Sequence, residues 1–348
     1  MYKFIHGKKR NKLQAAGIGT QFLNFIDSYL QPRKATVAVE GVNSNEFDIA
    51  NTVFQGTVLG PPLWNVFFSD VAQPAASTGG NPSLFADDLS VFQQFDKIEQ
   101  NSDIVRKMHV CRNKVHSWGR INRVAFDPTK EHVSIIHPIY GEGDPFKFLG
   151  CMIDCKLLMN QAIDKILSQM RPKRQAILRT KPHYCVKELI NQFKTHVWGI
   201  VETHSGAIFH ASDYLLDKLD SAQRHFLNEV GVTEAEAFKE YNFAPPKLRR
   251  DIGVLGFLHK RVLGKSHPDI QRLLPFHFDV FGSLRPGEHD KQLYGHILDV
   301  QQQHSLHSRS IFGMVYVYNR LPQNVVNCKT VSTFQRHLTL EAREKCQD

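Results

Sequence analysis

The sequence predicts an α+β protein, with strands confined to the first half and helices alone in the second. Three observations carry this. Before Cys155, short alternating or wholly apolar runs are bounded by Gly, Asn and Asp clusters, which is how strands and turns are written. Among them stand stretches whose apolar residues recur on a helical period, and after Cys155 only that period is found. A chain of 348 residues fits about two domains. The expected divisions are 1–155, 156–270 (helical) and 271–348 (a loosely structured linker and helical tail).

In order, Lys9 to Leu30 reads as helix, with Leu13, Phe22, Phe25, Ile26 and Leu30 in period and a break at Gly17. Thr36 to Gly41 alternates like a strand, Gly41 to Asn45 is turn chemistry, and Glu46 to Ile49 returns as a second strand. After Gln55-Gly56-Thr57-Val58-Leu59-Gly60, Pro61 and Pro62 fit a first helical turn, where missing donors cost nothing. Leu63, Val66, Phe67 and Val71 continue that helix, whose N-terminus offers N–H groups and a positive dipole end to phosphate. Leu84 to Ala86 and Leu89 to Phe92 read as short buried strands, with Asp87-Asp88 as the tight turn between them. A helix follows over Ser102 to Gly119, then a turn at Asp127 to Lys130, a strand over His132 to Ile136, and one more over Phe146 to Asp154 with a bend at Gly150.

Beyond Cys155, Ile163, Ile166, Leu167 and Met170 form a stripe ended by Pro172, and Val186 to Ile200 forms another. Ser212 caps a third helix that stops at Gly231, Thr233 and Glu236 have capping-box spacing, and Leu248 to Leu258 make a fourth stripe. Residues 276–310 are rich in His, Gln, Gly and Pro. From Ile311 to Leu340 a helical pattern returns.

The net charge is +9 and the pI about 9.2, a surplus that suits an anionic partner such as nucleic acid. Mean hydropathy is −0.32, with no membrane-length apolar run and no signal-peptide pattern, so nucleus or cytoplasm is the expected location, with no membrane partner. The six cysteines show no Cys-x-x-Cys pair, which argues against zinc and for reduced thiols. From Lys165 to Lys194 eight Lys or Arg stand against one acid, Glu188. Lys165, Arg171, Lys173, Arg174, Arg179 and Lys181 are therefore candidates for nucleic-acid contact, although a solvated helix face has the same composition. Lys247, Arg249, Arg250, Lys260, Arg261 and Lys265 form a second such cluster. Asp87 and Asp88, placed together, suit Mg²⁺, which takes few protein ligands and leaves positions for phosphate; alone, the pair also fits an ordinary solvated turn.

Four stretches occur in one order: Gln-Gly-Thr-Val-Leu-Gly-Pro (55–61), Phe-Ala-Asp-Asp (85–88), Phe-Asp-Pro-Thr-Lys (126–130) and Phe-Leu-Gly-Cys-Met-Ile-Asp (148–154). Together they resemble the palm of a non-LTR (LINE-type) retrotransposon reverse transcriptase, over roughly residues 10 to 155. The helices around Leu248-Arg249-Arg250 and Tyr318 to Pro322 are similar to the thumb and tail of those elements. The resemblance implies an antiparallel palm sheet with packed helices, then an all-α thumb. It implies RNA-directed DNA synthesis by two-metal phosphoryl transfer, with two Mg²⁺ ions, an RNA template, a DNA primer and dNTPs. It implies that Asp87 and Asp88 are the catalytic, metal-binding pair, with Asp87 the direct ligand. Gln55, Gly56 and Thr57 would lie against template and nucleotide, Lys130 near the triphosphate, and Phe148, Leu149 and Gly150 in the primer grip.

The sequence also departs from that family. Thr52 and Phe54 replace its usual Gly and Pro, and Trp64 replaces a phenylalanine. If Lys12-Leu13 ends the helix that follows the family's other metal-binding aspartate, the register places that residue before Met1, and the fingers are missing as well. Weakened Mg²⁺ binding, impaired turnover and an unpaired palm edge open to another chain are then expected, and a non-catalytic remnant that binds nucleic acid is the alternative.

Overall fold

The computed structural model describes residues 6–31, 33–49, 56–96, 98–285, 288–295 and 301–346. The fold is mixed α+β, and the chain forms two compact units, Met1–Ile135 and Ile136–Asp348.

The first unit opens with α1 (His6–Ala15) and α2 (Thr20–Tyr29). Gly17 breaks them apart at φ 85°, a conformation glycine adopts without penalty. Leu13, Leu23, Ile26 and Leu30 close a small core with Leu63. Four short strands follow: β1 (Arg33–Ala35), β2 (Ala38–Val39), β3 (Val42–Asn43) and β4 (Phe47–Ile49). β1 pairs with β4 and β2 with β3, both antiparallel. The turn is Glu40–Gly41, both at positive φ as a type I′ hairpin requires, rather than the expected Gly41 to Asn45. The expected single strand over Thr36–Gly41 is interrupted because the Val37 N–H donates to Ser44 Oγ at 3.0 Å, in place of a ladder carbonyl.

α3 (Gly60–Phe68) begins with Pro61 and Pro62 in its first turn, passes through a 3₁₀ turn at Ser69–Val71, and leads to α4 (Ala72–Ala76). Leu63 joins the first core, whereas Phe67, Phe68, Val71 and Ala75 face Cys111, Val115 and Trp118 of α5 (Asn101–Asn122). Asp70 ties three of these elements. Lys12 Nζ donates to Asp70 Oδ1 at 2.8 Å and to the Phe67 carbonyl at 3.0 Å, and Trp118 Nε1 reaches the same carboxylate oxygen at 3.1 Å. Between α4 and α5 lies the hairpin of β5 (Asn81–Phe85) and β6 (Asp88–Phe92). The expected strand over His132–Ile136 does not form. Alternation describes any extended segment, and here it yields only a single bridge, at Ile135.

In the second unit, β7 (Phe146–Phe148) and β8 (Cys151–Ile153) form an antiparallel hairpin where one strand was expected. Leu149 (φ 45°) and Gly150 (φ 92°) make its two-residue turn. Asp154 then receives three backbone N–H groups, from Lys156 (3.1 Å), Leu158 (3.0 Å) and Met159 (2.6 Å), and fixes the entry to α6 (Asn160–Arg179). α6 runs through Pro172, which the sequence reading took as its end. Ile163, Ile166, Met170 and Ile177 are buried on one stripe spanning the proline, and that burial outweighs one lost hydrogen bond.

α7 (Val186–Phe193) continues through a π-helical turn, Lys194–Trp198, into α8 (Gly199–Ile208). α9 (Asp213–Val230) stops at Gly231, and α10 (Glu234–Tyr241) starts at Thr233, whose Oγ1 accepts the Glu236 N–H at 3.1 Å. α11 (Pro246–Val262), α12 (Pro268–Leu273), α13 (His277–Phe281), α14 (Gln301–Arg309), α15 (Ile311–Tyr318), α16 (Gln323–Val326) and α17 (Val331–Glu344) complete the unit. One core centres on Phe193, Phe226 and Phe243 and takes in Cys151 of β8; a second packs Leu255 and Leu258 of α11 against Val315, Tyr318, Val326 and Phe334. No described helix is long and apolar enough to cross a membrane.

Three arginines of the second basic cluster are spent on structure. Arg250 is 5% exposed and grips Asp220 with both guanidinium nitrogens, at 2.6 and 2.9 Å. Arg261 donates to the Leu274 carbonyl and stacks on Phe276, and Arg249 covers Trp198. Removing one partner of a buried pair leaves the other charge uncompensated. Asp220→Ala is therefore expected to lower the unfolding free energy of the chain by about 3–5 kcal/mol, read from urea denaturation.

Candidate active site

The β5–β6 hairpin pairs Asn81 with Phe92, Ser83 with Ser90, Leu84 with Leu89 and Phe85 with Asp88. Its turn is Ala86–Asp87, so the twin aspartates do not form the turn together as expected. Asp87 sits at the tip, and Asp88 is the first residue of β6. Side chains alternate across a strand, which puts Leu89 and Val91 on one face and Asp88, Ser90 and Phe92 on the other. Leu89 and Val91 are partly buried against the core of α3, α4 and α5. The face carrying Asp88 is open, with Phe85 64% and Phe92 47% exposed, so these strands are half-buried rather than buried. The reason is topological: each sheet among the described residues has two strands, and a lone hairpin can cover one face only.

Two contacts aim the tip. Trp64 Nε1 of α3 donates to the Ala86 carbonyl at 2.9 Å, so the helix headed by the double proline touches the residue that precedes Asp87. At the other end, a Cβ on Gly80 would lie 2.5 Å from Val91 Cγ1 and 3.2 Å from the Ala75 carbonyl, which allows α4 and the hairpin to close on each other. Ala86 itself holds φ 53°, a left-handed conformation that costs an L-residue free energy.

The other expected site residues are distributed as follows. Gln55, with Thr52 and Phe54, lies outside the described residues. Gly56 is exposed at φ 79° with open space around its α-carbon, and Thr57 accepts the Gly60 N–H at 3.3 Å. That bond corrects one expectation. The first three residues of α3 offer phosphate no donor, because the Gly60 N–H is used and Pro61 and Pro62 have none. Lys130 ends a 3₁₀ turn, Pro128–Lys130, and stands 3.9 Å from Asp127. The Thr129 hydroxyl and N–H hold the Asp127 carboxyl below its ordinary value, helped by the charge of Lys130. Phe148, Leu149 and Gly150 come together at the tip of the β7–β8 hairpin. Arg171, Lys173, Arg179 and Lys181 are exposed, and Lys165 and Arg174 are half-buried. Arg174 and Lys181 donate to the carbonyls of Ala222 and Glu229, so these two cations also bind α6 and the turn that follows it to α9.

Trp64 is the residue that sequence reasoning treated only as a departure. Its signal was there: an indole N–H near a sharp turn needs an acceptor. Among the described residues no cluster of three or more His, Cys, Asp or Glu side chains is arranged to hold a metal ion. The carboxylate oxygens of Asp87 and Asp88 are hard donors, the type that Mg²⁺ takes.

Residues 5–153 match the family described as reverse transcriptase (RNA-dependent DNA polymerase). The chain is 24% identical over 251 residues to the RNA-directed DNA polymerase from mobile element jockey of Drosophila funebris, covering 68% of this chain and 26% of that protein. It is 26% identical over 167 residues to the probable RNA-directed DNA polymerase from transposon X-element of Drosophila melanogaster, covering 44% and 18%. The jockey protein of Drosophila melanogaster is 26% identical over 243 residues, covering 65% and 26%. The chain thus spans about a quarter or less of the length of these relatives.

Ala86→Gly is expected to relieve the left-handed conformation and stabilise the hairpin by about 1 kcal/mol, whereas Trp64→Phe removes one hydrogen bond and costs about 1 kcal/mol. Amide exchange of Ser90 and Phe92, whose N–H groups face β5, should slow in the first and quicken in the second. With that geometry and those relatives, residues 5–153 are a reverse-transcriptase-like segment, related at low identity to the polymerases of the jockey and X-element mobile elements.

Proposed function

We propose that this chain is part of a retrotransposon RNA-directed DNA polymerase of the two-metal nucleotidyl-transfer class, and that by itself it turns over slowly. The observation that carries the reading is the Asp87–Asp88 hairpin, held by Trp64 within a segment similar to reverse transcriptases. Residues 1–155 serve as a reduced palm, 156–270 as a thumb and 271–348 as its tail.

Asp87, at an exposed tip, and Asp88, on the open face, would hold Mg²⁺. Bound there, the ion supplies charge for the triphosphate and lowers the pKa of a primer 3′-hydroxyl. Gln55, Gly56 and Thr57 orient template and nucleotide. Phe148, Leu149 and Gly150 hold the primer end, and Lys130 supplies a proton to the departing pyrophosphate. Lys165, Arg171, Lys173, Arg174, Arg179 and Lys181 meet the phosphate backbone. Low turnover is part of the proposal because Asp87 and Asp88 by themselves would offset only half the charge of two divalent ions.

Primer extension on an RNA template with Mg²⁺ or Mn²⁺ tests this. Weak dNTP incorporation is expected, falling on the order of 100-fold in Asp87→Ala. Incorporation indifferent to that substitution would sink the assignment. A second reading, a non-catalytic nucleic-acid binder, is favoured by the exposure of Arg171, Lys173 and Arg179. It is distinguished by RNA binding without any incorporation in the unaltered chain. In either case, Arg171→Ala and Lys173→Ala should each lower the slope of log K against log salt by about 0.7–0.9 per lost phosphate contact.

A further inference from the structure

The second unit contains a cavity of ≈ 1030 Å³, large enough for a ligand of drug size or above. Its walls come from the π-helical turn, α8, α11, α12, α14, α15 and α17. Much of the lining is aliphatic, including Ile252, Val254, Ile270, Leu273 and Leu306.

The charge is concentrated in one place. The π-helical turn brings Lys194 and Trp198 to the cavity wall together, and Glu202 follows one turn later on α8. Such turns are rare and recur at functional sites. Arg249 stacks 3.2 Å from the Trp198 ring centroid and pairs with Glu202. Lys194 Nζ lies 5.7 Å from the same ring and donates to the Tyr241 carbonyl. Two cations thus share one indole, and the Glu202 carboxylate is paired with Arg249. Burial lowers the Arg249 guanidinium to about 10, and burial with the charge of Arg249 lowers the Lys194 ammonium. A partly desolvated, surplus positive charge at the edge of an aliphatic cavity is complementary to a single anionic group on an alkyl body. A nucleobase fits less well, because the Trp198 faces are already used: Phe243 is stacked on it at 4.8 Å and 9°, and Arg249 also covers it.

We propose that this cavity binds a long-chain carboxylate, its acid group beside Lys194 and its alkyl chain along α11 and α12. The site is separate from the polymerase reading and stands or falls without it.

Titration calorimetry of the full chain with oleate, below its micelle concentration, tests this. Saturable binding with a stoichiometry of one is expected. Lys194→Gln should weaken it roughly tenfold, or about 1.4 kcal/mol. Gly253 lines the cavity, and a Cβ there would meet nothing within 4 Å. Gly253→Leu should therefore fill the space, raise the melting temperature and abolish oleate binding. Unsaturable uptake, equal affinity in Lys194→Gln, unchanged binding in a folded Gly253→Leu, or displacement of oleate by dATP would each overturn the proposal.

Discussion

A hairpin of two strands can hide only one of its faces, and the geometry of the first unit follows from which one. Leu89 and Val91 are drawn to the core of α3, α4 and α5, so Asp88 must point the opposite way, to the open side. Trp64 then fixes how far the tip stands off the helix, by holding the Ala86 carbonyl. Asp70 holds the helices to which the hairpin is anchored, joining Lys12 and Trp118 through one carboxylate. Carboxylate placement is therefore a by-product of apolar packing one and three residues away.

The helical unit obeys a different constraint. Its apolar stripes are wide enough to require burial on more than one side, so α11 contributes to two environments. Leu255 and Leu258 pack with α15, α16 and α17, while Arg250 reaches back to Asp220 of α9. Interior arginines are tolerated where each finds a carboxylate, a carbonyl or an aromatic face, as Arg250, Arg261 and Arg249 do. A high positive charge therefore does not translate directly into a nucleic-acid surface. Arg171, Lys173 and Arg179 of the first basic cluster remain exposed, while much of the second holds helices together.

Much of this was legible in the chain itself, and the misses have a common origin. The break at Gly17, the double proline heading α3, the Asp87–Asp88 hairpin and the cap at Thr233 are encoded in a few adjacent residues whose backbone chemistry is local. Pro172 misled because the burial of Ile166 and Ile177 across it depends on helices distant in sequence. His132 to Ile136 misled because alternation does not specify how far pairing extends, and here it stops at one bridge, at Ile135. The turn at Glu40–Gly41 fell earlier than expected, and the bend expected at Gly150 is a full hairpin turn, because their left-handed residues include Glu40 and Leu149, which carry no turn signal.

The order of motifs, the type of most elements and the hairpin at Asp87–Asp88 were thus legible in the sequence, since each depends on short-range stereochemistry or on residue type. The face to which Asp88 turns, the partner of Trp64 and the cavity beside Lys194 were settled only by tertiary structure. Each is a meeting of side chains that are far apart along the chain, and no local pattern specifies which of many apolar or charged residues will meet.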